Sequence, residues 1–267
     1  MSTTTLERPT TTSAARVRPG IPTSRLIGVE LQKMFDTRAG FWLIAGIAAL
    51  SLIATAAAMI FGDRSGLEYG AFAQAVGIPT TVILPILGAL SVSSEWGQRT
   101  SLSTFTMVPS RARVVIAKLV TVVGVGLASL VVALGVAALG NLFNAAIAGI
   151  TPVWDLDLTV IMQIVVADEI GMLMAFMLGA LFRNSPGAIV GYFVYALVLP
   201  GVSSALAAAQ PWWSDHAGWF DLRTASIPLY DTGMTAHDWA QLGVTTLIWL
   251  VVPLTIGFRL LMRSEVK

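Results

Sequence analysis

The sequence predicts an all-α membrane protein of six transmembrane helices with both termini in the cytoplasm. Three observations carry this. Hydrophobic residues make up 55% of the chain and charged residues only 12%, where soluble domains carry about 25% charge. Six apolar runs lie near 41–61, 71–93, 114–140, 158–181, 187–208 and 240–262, and a hydrocarbon core of ~30 Å needs about 20 helical residues to cross it. Finally, lysine and arginine concentrate in alternate flanks of those runs, as the positive-inside rule requires.

Residues 1–23 are rich in Thr, Ser, Pro and Arg without apolar periodicity, which predicts a disordered cytoplasmic tail. In residues 24–39, Ile27, Leu31, Met34 and Phe35 recur at helical spacing, while Glu30, Lys33 and Asp36 fall off that face. An amphipathic helix in the inner membrane interface is expected, with Ser24 as its N-cap; an ordinary extension of the first span is the alternative. Residues 40–267 are then a six-helix transmembrane domain. The first run is too long for the core of a secretory signal, and the Ala-Thr-Ala at 54–56 lies inside it, so it reads as a retained span. The third run is long enough to tilt or to extend beyond the lipid.

Orientation follows from the flanks. Arg8, Arg16, Arg18, Arg25, Lys33, Arg38, Arg99, Arg111, Arg113, Lys118, Arg183, Arg259, Arg263 and Lys267 share one side, and only Arg64 and Arg223 fall on the other. That asymmetry places the first side in the cytoplasm. The formal net charge of +1 gives no basis for nucleic-acid binding.

Several chemistries lack their residues. There is no cysteine, and none of the three lysines, Lys33, Lys118 and Lys267, follows a glycine, so no P-loop is present. The two histidines, His216 and His237, are too far apart for one helical metal face. Neither a His-Glu-x-x-His nor a Gly-x-Ser-x-Gly motif occurs. The chain is read as a non-enzyme.

Charge is concentrated instead in SSEWGQRTSLSTFTMVPSRARVVIAK, residues 93–118, between spans two and three. This cytoplasmic connection is much longer than the usual ~4–6 residues. A short helix over Gln98–Met107 is expected, broken at Pro109, with Glu95 and Arg99 paired at i, i+4. Simple positive-inside anchoring is the alternative.

The order of Glu95, Arg99, Thr100, Pro109, Ser110, Arg111, Ala117 and Lys118 resembles the signature of permease subunits of type-2 ATP-binding-cassette exporters. The six-span layout and the interfacial helix agree with it, over residues 24–263. The resemblance implies a coupling helix between spans two and three that docks on a separate ATP-binding-cassette ATPase subunit. Glu95, Arg99, Thr100, Arg111 and Lys118 are then the coupling residues, with Glu95 and Arg99 docking and Arg111 and Lys118 anchoring span three at the interface. It further implies a homodimer or a heterodimer with a similar permease, and a place in the lipid bilayer of the plasma membrane. No cofactor is expected on this chain, because ATP and Mg would bind the partner ATPase.

Asp168 and Glu169 fall near the middle of span four, where a charge costs about 2.5–3.5 kcal/mol on insertion scales. Asp168 shares a face with Gly171, Ala175 and Gly179, a series suited to close helix packing. Either the acids line a translocation path or carry a proton, or they are hydrogen-bonded between helices. The former admits a second functional reading, an ion-coupled secondary carrier using Asp168 or Glu169; an intramembrane protease is a third reading, which the missing motifs disfavour. Pro79, Pro85, Pro200 and Pro253 read as ordinary helix kinks or as hinges. Residues 210–239 carry Trp212, Trp213, Trp219, Phe220, Tyr230 and Trp239, an outer aromatic belt. Short re-entrant or interfacial helices that gate an exit are the alternative there.

Overall fold

The computed structural model describes residues 21–97, 111–231 and 233–263. Among these the chain is helical, without strands, and six helical stretches are long and apolar enough to cross a membrane: Arg38–Phe61, Tyr69–Ser94, Ala112–Ala148, Leu158–Phe182, Ser185–Ala209 and Ala236–Met262. They match the six predicted runs one for one, and the chain is a multi-pass membrane protein.

Helix α1 (Thr23–Phe35) precedes the first span. It starts one residue before the expected cap: Pro22 holds the N-cap position in extended geometry and offers no side-chain bond, so Ser24 lies within the first turn and caps nothing. It also ends short of residue 39. Thr37 is extended, and its hydroxyl accepts the Gly40 N–H at 3.0 Å, which starts α2 (Arg38–Phe61) as a separate helix. The elbow is tight enough that a Cβ on Gly40 would lie 1.8 Å from the Met34 carbonyl oxygen. Glu30 and Met34, one turn apart, point into the bundle and are buried, while Leu31 and Phe35 are exposed on its flank.

Helix α3 (Tyr69–Gly97) and α5 (Leu158–Phe182) form the centre. Half of each of their spans is buried, against 11% for α2 and 6% for the fifth span. Small residues set the approach: a Cβ on Gly179 would fall 2.7 Å from the Ala89 carbonyl, and one on Gly88 would fall 3.0 Å from that of Met172. The predicted packing series on the Asp168 face is therefore a contact between α3 and α5. Leu84, Leu87, Val122, Val125, Met172 and Phe176 fill the core there, and Met34 and Leu261 join it. The first and last helices thus meet at one end of the bundle, here the terminal face; the other end is the distal face.

Helix α4 (Arg111–Ala148) has 38 residues, or about 57 Å at helical rise, so it outruns the hydrocarbon core. It passes the predicted end near residue 140 because Asn141 and Asn144 are buried side chains with partners. Their amides donate to the Val153 and Arg64 carbonyls at 2.9 and 3.1 Å. The connection that follows closes on the start of α3, where Asp155 accepts the Gly70 N–H at 2.6 Å.

The fifth span is α6 (Ser185–Phe193), a π turn (Val194–Val198) and α7 (Leu199–Ala209). The sixth is α10 (Ala236–Thr246), a π turn (Leu247–Val251) and α11 (Val252–Arg263). Between them lie α8 (Pro211–Phe220), α9 (Leu222–Ser226) and a 3₁₀ turn (Ile227–Tyr230). Both π turns end just before a proline. The Leu199 and Val252 N–H groups bond five residues back, to Val194 and Leu247. Widening the turn absorbs the clash that Pro200 and Pro253 would make with an α-helical carbonyl. Pro85 is handled differently. Its missing N–H frees the Thr81 carbonyl, and the Tyr192 hydroxyl donates to that oxygen at 2.9 Å.

Candidate functional site

Among the described residues, two cavities adjoin charged side chains below the bundle surface. The first is at the terminal face. Lys118 lies in the second turn of α4 and is only 5% exposed. Its ammonium donates to Glu30 Oε2 on α1 at 2.5 Å and to the Ser91 carbonyl on α3 at 2.9 Å. Lys33 reaches the other carboxylate oxygen of Glu30 at 2.9 Å. One ammonium therefore joins three helices. Arg113 adds a second tie, donating to the Ile21 carbonyl and to the Thr23 hydroxyl at 2.5 and 3.1 Å. A cavity of about 210 Å³ adjoins the junction, lined partly by Glu30, Lys33, Ser91, Ser94, Lys118 and Ser185.

Of the predicted coupling residues, Lys118 is therefore placed inside the bundle, against α1 and α3. Arg99 and Thr100, with the helix expected over Gln98–Met107, lie outside the described residues. So do the side chains of Glu95 and Arg111, whose backbones are in the last turn of α3 and at the start of α4.

The second place is toward the distal face: a cavity of about 460 Å³ between α3, α4, α5 and the segment after α8. Asp168 contributes a carboxyl to it, accepting from the Thr81 hydroxyl at 3.3 Å. Thr81 thus meets Asp168 with its side chain and Tyr192 with its carbonyl. Arg223, Tyr230, Gln74 and Thr80 supply further polar groups, and the remaining wall is largely apolar. Glu169 points elsewhere, about 100° around the helix. Both its carboxyl oxygens are buried against α4 without a hydrogen bond, and a Cβ on Gly126 would come within 2.4 Å of one of them. The two neighbouring acids therefore share no site.

Arg223 and Tyr230 reach the cavity because the chain around them is pinned. Asp221 caps α9 through the Arg223 N–H at 2.9 Å and also accepts the Thr224 hydroxyl at 2.6 Å. Leu222 and Leu229 are buried among Ile170, Met174 and Met177 of α5. Trp249, in the second π turn, donates to the Phe220 carbonyl at 2.6 Å. Asp168 stands ten residues into α5, about 15 Å along its axis from the distal end, so this segment folds back into the bundle. Arg223 and Tyr230 both line the cavity, and Tyr230 keeps 42% of its surface exposed. The aromatics divide: Trp212, Phe220, Tyr230 and Trp239 are exposed as a belt would be, while Trp213 donates to Ser203 at 3.2 Å.

Sequence reasoning counted Arg223 only as a distal charge and Tyr230 only as a belt aromatic. The one available signal was that Arg223 is one of two bases on its side of the chain. Among the described residues no group of acids and histidines is placed to hold a metal. His216 and His237 are exposed, bonded to the Trp212 carbonyl and to Gln241. Comparison with models of known protein families gives no match, and comparison with curated proteins gives none either.

Proposed function

We propose that the chain is the permease subunit of a type-2 ATP-binding-cassette exporter, set in the plasma membrane with its termini in the cytoplasm. Two permeases pair, as a homodimer or with a similar chain, and separate ATPase subunits hold ATP and Mg and supply the power. The observation that carries this reading is the Glu30–Lys118–Ser91 junction. Residues 98–110 connect α3 to α4, and a push on that connection does work only if the helix ends move as one body. Lys118 ties those ends to each other and to α1. From there α3 passes the motion to α5 through the contacts at Gly88 and Gly179, and to Asp168 through Thr81. The distal cavity is then the exit vestibule, and the inward fold of residues 222–230 its closure.

Purification in a mild detergent tests this directly: a P-loop ATPase is expected at equal stoichiometry. Replacing Glu95 by alanine is expected to leave membrane insertion intact and to lower ATP-dependent transport severalfold, measured in proteoliposomes carrying both subunits; unchanged transport would remove Glu95 from the coupling path.

The unpartnered Glu169 carboxyl favours one other reading, an ion-coupled carrier that takes up a proton there or at Asp168. Transport by the chain alone, driven by a proton gradient, would select it over the exporter.

A further inference from the structure

The distal cavity holds two side chains of opposite formal charge, Asp168 and Arg223. Neither has an ion-pair partner among the described residues. Asp168 has the Thr81 hydroxyl, and Arg223 shares the cavity wall with Tyr230. The terminal face shows what this bundle does with a carboxylate and a base that tie helices together: Glu30 and Lys118 meet at 2.5 Å and seal each other. Asp168 and Arg223 instead face a shared space, in surroundings where an uncompensated charge is costly.

We infer that this cavity binds a zwitterionic amphiphile, its cationic group at Asp168, its anionic group at Arg223 and Tyr230, and its apolar part along Val82, Leu130 and Ile164. The volume of about 460 Å³ lies within the ~300–1,000 Å³ of ordinary small-molecule sites. A simple cation satisfies Asp168 and leaves Arg223 opposing it; a simple anion does the reverse. Only a ligand carrying both charges completes both side chains. The cavity reaches the bundle surface at Ile78, a lining residue that is 65% exposed. Calling this ligand the exported substrate rests on the exporter reading; its binding does not.

The test uses the full chain alone in nonionic maltoside micelles. Three radiolabelled twelve-carbon probes share one tail and differ in headgroup: dodecylphosphocholine, dodecyl sulfate and dodecyltrimethylammonium, each at low mole fraction. The wild type is expected to retain the phosphocholine probe about tenfold better than either singly charged one, the scale of one charge-assisted hydrogen bond. Asp168→Asn is expected to shift preference toward the sulfate, and Arg223→Gln toward the trimethylammonium. Arg223 sits on a short surface-connected helix, so R223Q keeps the test alive should D168N fold poorly. Equal retention of all three probes by the wild type overturns the inference, as does a variant that weakens all three alike. If no ATPase accompanies the chain yet the headgroup preferences appear, the exporter reading fails and the site stands; the converse result removes the site and spares the exporter.

Discussion

Lys118 and Arg223 are both bases inside an apolar bundle, and the fold treats them in opposite ways. Lys118 is closed off: a carboxylate and a backbone carbonyl take its protons, and three helices converge on it. Arg223 is left looking across a cavity at a carboxyl it does not touch. The difference separates charge that is consumed in holding helices together from charge that is kept available. The first kind marks where motion passes between helices, and the second marks where a ligand can be met.

The comparison breaks first at the junction. Lys118→Met leaves Glu30 buried without the neighbour on Oε2, and the expected loss is about 3–5 kcal/mol, seen as a lower unfolding midpoint in detergent and a poorer folded yield. The double variant E30M/K118M is expected to recover most of that loss, since it removes both charges together. A single variant that unfolds like the wild type would show that the pair holds nothing.

A smaller effect is expected where the centre is packed. Gly179→Ala drives a methyl against the Ala89 carbonyl and is expected to cost about 1–3 kcal/mol. Gly124→Ala, with open space around it, is the control and is expected to be neutral or slightly stabilising. Smaller again is Tyr192→Phe, which frees the Thr81 carbonyl at Pro85. The expected cost is about 1 kcal/mol in the same melt. Smallest is Asp168→Asn, whose single bond to Thr81 is long at 3.3 Å. Its melting point is expected to move by less than about 0.5 kcal/mol equivalent while its ligand preference changes. A large loss of stability in that variant would make Asp168 a packing residue like Lys118 and erase the contrast between the two regions.

The six spans were legible because crossing a bilayer is a local demand, met by about 20 consecutive apolar residues whatever the rest of the chain does. The packing face of Gly171, Ala175 and Gly179 was legible for the same reason: periodicity within one helix is written in adjacent residues. What escaped was set by distant parts of the chain. Glu30 looked like a solvent-side acid because its partner is 88 residues away. The third helix runs past its apolar stretch, as its length allowed, but the partners that hold its end, the Val153 and Arg64 carbonyls at Asn141 and Asn144, are set by the fold. Ser24 lost the cap to Pro22, whose carbonyl already accepts the Arg25 and Leu26 N–H groups. Arg223 acquired its place only when Leu222 and Leu229 drew residues 222–230 inward against α5.

The two π turns carry a consequence of their own. Each holds one residue more than an α turn requires, as if a single-residue insertion had been kept ahead of Pro200 and ahead of Pro253. Forcing Leu247–Val251 to regular α pitch with every residue kept would wind everything beyond it by about 100°. Phe258 would swing off Phe176, and Leu261 would leave the pocket it shares with Met34. The wide turn therefore absorbs the extra residue and lets both halves of the sixth span keep the faces they pack with.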